Sequence, residues 1–171
     1  MALVTSYLAI GSNLGNRIVN IKESLRLLRG INRIQVEEIS PLYESFPQGG
    51  PKNQLNYFNL AVAIKTTLAP LDLLGELKAI ESKLKRRNTV RWGSRTIDLD
   101  ILFYGDLVFI NEKLAIPHLL LHKRVFVLKP LSDIAPKFEH PLYKKSINEL
   151  LENLKGKDKI IMPLDYFSWR N

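Results

Sequence analysis

What most restricts the fold of this chain is an order: strand, helix, strand, and then strand, helix, strand again. Leu3–Ile10 is rich in strand formers and runs into Gly11, a strand entering a turn. After "GSNLGN" the apolar residues Ile18, Ile21, Leu25 and Leu28 recur at helical spacing, and Gly30 closes that helix. Ile31–Ser40 alternates through Ile34 and Val36 and reads as a second strand. Pro41–Asn56 reads as a long loop, a length usually kept for functional segments. Tyr57–Thr67 is a third strand, and Pro70 sits in the first turn of a second helix whose Leu73, Leu74, Leu77, Ile80 and Leu84 keep helical period. A basic loop, Lys85–Arg95, leads to a fourth strand, "TIDLDILFY", which Gly105-Asp106 turns into "LVFIN". Short helices are expected around His122–Leu131 and near Ser146–Leu154.

Two such units in succession make the split βαβ, or ferredoxin-like, pattern: an α+β sandwich with an antiparallel sheet and helices packed on one face. At 171 residues a single domain is expected over 1–171, with a tail of unassigned structure from about residue 155. The absence of cysteine excludes disulfides and thiolate metal sites and fits a cytoplasmic location. The first residues lack a basic segment before their apolar run, so they read as a strand and not as a signal peptide. No apolar run is long enough to span a bilayer. The net charge of +8 suits a polyanionic ligand, although a solubilising surface would carry the same excess. Part of it lies in Lys155–Lys159, which reads as a solvated tail, and part in Lys83–Arg95, directly before the acidic strand.

In that strand Asp98 and Asp100 are two apart and share a face, with Ile97, Leu99, Ile101 and Phe103 on the other. Two carboxylates so close repel, and something must hold both ionised. Two candidates stay open: an ion pair with Arg95 or another basic residue, or a hard divalent cation such as magnesium, completed by phosphate oxygens. Arg86, Arg87, Arg91 and Arg95, beside Trp92, have the planar two-pronged geometry that grips phosphate, and would equally suit the end of a helix. The P-loop signature is absent. Further on, His118 follows Pro117, with Arg124 and Phe126 at the start of an apolar helix. Tyr57 and Asn59 share a strand face, where a ring can stack and an amide can pair with a heterocycle edge. Each of these residues, alone, has an ordinary structural use.

Taken together, "YLAIGSNLGNR", "SPLYES", "YFNLAVAI", "LLGELKAIE", "RWGSRTIDLDILFY", "IPH" and "RVFVLKPLSDIAP" resemble one family, the 6-hydroxymethyl-7,8-dihydropterin pyrophosphokinases of folate biosynthesis. The likeness runs in the family's order from Tyr7 to about Pro141. It implies a ferredoxin-like fold and transfer of pyrophosphate from ATP, the co-substrate, to the hydroxymethyl oxygen of the dihydropterin, leaving AMP. It implies that Asp98 and Asp100 hold two Mg2+ ions, with Arg86 and Arg95 beside them in catalysis. It implies that Tyr57 and Phe126 sandwich the pterin, with Asn59 and Ser45 at its edge. Arg86, Arg87, Trp92, Arg95, Ile101, Lys113, His118 and Arg124 are implied around ATP. Its partners would be these small molecules, with no nucleic acid and no membrane, and the chain would be a monomer. Members often read Gly-Arg-x-Arg before the Trp; here Lys85 replaces the glycine, and the second arginine falls on Asn88. Either Arg87 takes over that contact or the contact is weaker.

Two rivals share some of these features. An RNA-recognition module shares the fold pattern and basic charge, but needs exposed aromatics on a central strand that are absent here. A phosphotransferase with another acceptor shares the magnesium site and differs at Tyr57, Asn59 and Phe126.

Overall fold

The computed structural model describes residues 2–49, 51, 53–85, 93–154 and 160–163. At its centre β1 (Val4–Ser12) and β4 (Tyr57–Thr66) pair antiparallel along their whole lengths, Val4 opposite Thr66 and Ser12 opposite Phe58. β5 (Asp98–Tyr104) adds antiparallel to the free side of β1. Two strands share the other side of β4: β2 (Ile34–Ile39) pairs with its far half and β3 (Tyr43–Ser45) with its first three residues. The bend between them is held by Ser40, whose N–H donates to the Ala61 carbonyl at 3.0 Å and whose Oγ accepts from the Ala61 N–H at 2.9 Å. The segment read as one long loop thus carries a strand. A further strand, β8 (Ile160–Pro163), pairs antiparallel with β3, so part of the segment expected to be a tail extends the sheet.

Helices cover both faces of the sheet, where one was expected. α1 (Arg17–Arg29) starts at Asn16, whose side chain accepts from the Val19 N–H at 3.1 Å, and closes at Gly30. α2 (Pro70–Lys83) begins with proline, which needs no hydrogen bond at that position. Their apolar stripes, Ile21, Leu25 and Leu28 with Leu73, Leu77 and Ile80, bury against Leu8, Ile10, Leu60, Val62 and Leu99. On the opposite face α3 (Val125–Ile134) and α4 (Ile147–Glu152) pack over Ala61, Leu102 and Phe103. The sign of this second layer is the uninterrupted burial of β4 from Phe58 to Ile64, since a strand that is dry on both faces must be covered twice. α4 carries a capping box, with Ser146 and Glu149 bonding each other's backbone. A small hairpin of β6 (Phe109–Ile110) and β7 (Ala115–Ile116) and a single 3-10 turn at Leu121–Lys123 connect β5 to α3. No helix among the described residues is long and apolar enough to cross a membrane.

Lys85 follows α2 with φ +58°, the left-handed conformation that glycine adopts without steric cost. This is the position where the resemblance drawn from the sequence often has glycine.

Candidate active site

β5 alternates as expected over its first four residues. Leu99 and Ile101 are buried among α1 and α2, and Asp98 and Asp100 face the opposite side, into a cleft of about 670 Å³. The alternation then breaks. Tyr7 lies opposite Phe103 while Leu8 lies opposite Ile101, so Leu102 is an extra residue, a β-bulge. Beyond it Phe103 changes face and joins the α3/α4 core, 4.7 Å between ring centres from Phe138, and not the face of Leu99 as its spacing suggested. The bulge also frees the Leu102 carbonyl to accept from the His118 N–H at 3.0 Å, which ties His118 to the cleft.

The charged end of the cleft is held by side-chain bonds. The Arg95 guanidinium pairs with Asp98, so the ion pair left open by the sequence is formed. Arg95 is itself anchored to the turn after β1: its N–H donates to Asn13 Oδ1 at 2.7 Å, and its carbonyl accepts from the Asn13 N–H at 3.1 Å. Burial, then the neighbouring Asp98 charge, pushes the Asp100 carboxyl up to about 6, with Lys78 and Arg95 pulling the other way. Burial, then the Arg124 charge, lowers His118 to about 4, so it is neutral at neutral pH. Its Nδ1 accepts from the Leu120 N–H at 3.2 Å, which leaves the proton on Nε2. Burial likewise lowers Arg124.

The other end is aromatic. Tyr57 and Asn59 open β4, and the Tyr57 hydroxyl donates to the Gly93 carbonyl at 3.3 Å. Asn59 Nδ2 donates to Ser45 Oγ at 2.8 Å across the β3–β4 pair, which fixes the amide plane. Phe126, in the first turn of α3, closes this end, and the Arg124 guanidinium carbon lies 5.7 Å from its ring centre. Between the ends lies Gly11, opposite Asp98 on one side and Asn59 on the other. A Cβ at Gly11 would stand 3.2 Å from Asn59 Oδ1 and 3.8 Å from Tyr57 Cδ1, so only glycine leaves this floor open.

The cleft therefore gathers Asp98, Asp100, Arg95, His118, Arg124, Tyr57, Asn59, Ser45 and Phe126 from positions up to 81 residues apart. Two expected residues are placed elsewhere. The Ile101 side chain is buried in the α1/α2 core, and Lys113 is exposed in the β6–β7 turn; neither lines the cleft. Arg86, Arg87, Asn88, Arg91 and Trp92 lie outside the described residues. Sequence reasoning passed over Gly11, Asn13, Lys123, which lines the cleft, and Glu81, which accepts from the Leu99 N–H beneath the acidic pair. A glycine inside a buried strand was the one available signal, for Gly11. Among the described residues no group of three or more acidic, histidine or cysteine side chains could hold a metal ion unaided. Asp98 and Asp100 supply two hard oxygen donors and an excess of negative charge, a donor set that fits magnesium when a ligand's phosphate oxygens complete the shell.

An antiparallel sheet sandwiched by helices, with an acidic pair and cationic side chains at the edge of its cleft, places this chain in the ferredoxin-like α/β class. The Plasmodium falciparum HPPK-DHPS crystal structure with pteroate superposes with a TM-score of 0.72 at 18% identity, covering 89% of this chain and 44% of that one. Residues 7–136 match the family model described as 7,8-dihydro-6-hydroxymethylpterin-pyrophosphokinase. The chain belongs to that family. The 2-amino-4-hydroxy-6-hydroxymethyldihydropteridine pyrophosphokinase of Aquifex aeolicus is 40% identical over 147 residues, 86% of this chain and 90% of the relative. The protein of the same name from Haemophilus influenzae is 41% identical over 133 residues, 78% of this chain and 82% of the relative. The bifunctional protein FolKE of Lactococcus lactis subsp. lactis is 44% identical over 133 residues, but the match spans only 38% of its length.

Proposed function

We propose that this chain transfers the pyrophosphoryl group of ATP to the hydroxymethyl oxygen of 6-hydroxymethyl-7,8-dihydropterin, releasing AMP, with two magnesium ions. The observation that carries this reading is the row Asp98–Gly11–Asn59 across three adjacent strands. Strands lie about 4.8 Å apart, so the backbones at Asp98 and Asn59 are about 10 Å apart, with Gly11 as an open floor between them. A flat bicyclic ring read by Asn59 and clamped between Tyr57 and Phe126 can extend a short arm over Gly11 to the acidic pair.

Asp98 and Asp100 would hold the magnesium, which when bound neutralises phosphate charge and makes the attacking hydroxyl more acidic. Arg95 and Arg124 grip phosphate oxygens from the same end. Neutral His118 donates its Nε2–H to a phosphate oxygen and adds no charge. No side chain in the cleft needs to act as a strong base, because alignment and charge neutralisation carry most of such a transfer. Chromatography of the spent nucleotide tests the reading, with AMP expected. ADP as the main product would favour a phosphotransferase, and no nucleotide turnover with the dihydropterin would remove the proposal.

A further inference from the structure

Among the described residues β5 pairs with β1 alone. On its other side, alternate residues present an N–H and a C=O that no strand receives. At the acidic pair that residue is Leu99. Its N–H donates to Glu81 Oε1 at 2.8 Å, in a buried bond. Lys78 Nζ donates to the same Oε1 at 2.8 Å and lies 3.4 Å from the Leu99 carbonyl oxygen. Lys78 and Glu81, three apart on α2, share a helix face, so the end of α2 stands in for a missing strand at this one residue. Glu81 is only 3% exposed, and a buried carboxylate is costly unless it is bonded in this way.

The covalent geometry makes Leu99 a sensitive point. Its N–H belongs to the peptide plane joining Asp98 to Leu99, and its C=O to the plane joining Leu99 to Asp100. The two bonds from α2 therefore fix both planes between the aspartates. We propose that Glu81 is a positioning residue for the transfer reaction: through the Leu99 N–H it sets the separation and direction of the Asp98 and Asp100 carboxylates. This rests on the function proposed above. The role needs the reach of Glu81 more than its charge. A glutamine oxygen can accept the same hydrogen bond, whereas an aspartate is one methylene short.

The test compares Glu81→Gln and Glu81→Asp in the full chain. AMP formation by the unaltered chain is measured first, because its absence defeats the function and not the hydrogen bond. With that activity present, Glu81→Gln is expected to keep kcat within about 3-fold. Glu81→Asp is expected to lower kcat roughly 10-fold or more, with KM for the dihydropterin unchanged, since small displacements of reacting groups are costly. Amide hydrogen exchange at Leu99, measured without substrates, should be faster in the Asp variant than in the Gln variant. The reverse activity order would make charge the essential property and overturn the proposal. Equal kcat in the two variants, or a loss in the Asp variant without faster Leu99 exchange, would overturn it as well. If the Asp variant fails to fold, Lys78→Met, which removes both the contact to the Leu99 carbonyl and the cation that shares Glu81 Oε1, decides: a lower kcat at unchanged KM supports the proposal, and unchanged kcat overturns it.

Discussion

At the aromatic end of the cleft Tyr57 and Asn59 stand on β4, which has strands on both sides; at the charged end Asp98 and Asp100 stand on β5, which has one among the described residues. The aromatic end inherits its geometry from the sheet ladder, to which the bonds from Asn59 to Ser45 and from the Tyr57 hydroxyl to the Gly93 carbonyl are added. The charged end is assembled from side chains: Arg95 on Asp98, Asn13 on Arg95, Glu81 on Leu99, and the His118 backbone on the bulge carbonyl. The proposed ligand recognition thus sits where the backbone is already fixed. The proposed chemistry sits on an edge strand whose free side is closed by α2 side chains, at the expense of needing many separate anchors. Single substitutions should therefore act on catalysis at the charged end and on affinity at the aromatic end.

The sharpest way to break this contrast is at the acidic pair. Asp98→Asn or Asp100→Asn is expected to lower turnover by about 10²–10³-fold or more, the scale of losing one strong transition-state contact. Thermal unfolding should show the fold retained. For Asp100→Asn the melting temperature at neutral pH should be equal or higher, because burial and Asp98 oppose its charge. Near-normal turnover in either variant at ordinary magnesium would sink the metal role and leave only the ion pair with Arg95.

At the aromatic end, Tyr57→Ala and Phe126→Ala should weaken dihydropterin binding by about 1 kcal/mol each beyond lost area, roughly 5-fold, and leave ATP binding nearly unchanged. Calorimetry with each ligand separately reads this. Phe126 also packs against the α3/α4 core, so its variant should melt lower as well. Equal losses for both ligands would mean that the two ends are not independent.

A smaller effect lies in the pH dependence of the ligand-free chain. Asp100 has a folded value near 6, above its ordinary 3.8, so its contribution to stability is full below about 3.8 and is lost as pH rises through 6. His118 has a folded value near 4, below its ordinary 6.5, so its contribution runs oppositely and stability rises from pH 4 to 6.5. His140, also lowered to about 4 by burial, adds to that rise. Asp100→Asn should therefore steepen the rise of melting temperature between pH 4 and 6, and His118→Gln should flatten it. Curves parallel to the unaltered chain would show that neither group is shifted in the fold.

The smallest change expected is at Lys85. Its φ of +58° strains a side chain where glycine would fit, so Lys85→Gly should stabilise the chain by about 0.5–1 kcal/mol. Denaturant unfolding measures it, and a lower midpoint would mean that the lysine side chain makes a compensating contact.

Much of this arrangement was written locally. The spacing of Ile21, Leu25 and Leu28 and of Leu73, Leu77 and Ile80 specified two amphipathic helices, because a helix repeats every 3.6 residues whatever it packs against. The alternation of Asp98 and Asp100 with Leu99 and Ile101 specified a strand with two carboxylates on one face. The motif around it matched the family outright. What remained hidden depended on residues far apart in the chain. Pairing with β4 and β8 makes a strand of Tyr43–Ser45 inside an apparent loop. The second helix layer required knowing that β4 is buried on both faces. The bulge at Leu102, which turns Phe103 to the other core and gives His118 its anchor, arises from register against β1 and has no local pattern. Glu81 read as one more polar residue on a helix, and only the packing of α2 beside β5 brings its carboxylate to the amide between the aspartates. Side-chain periodicity is a property of a few neighbouring residues and can be read in the sequence. Register, double burial and the fate of an edge strand's free amides are properties of strands and helices meeting, and these were decided only when the chain folded.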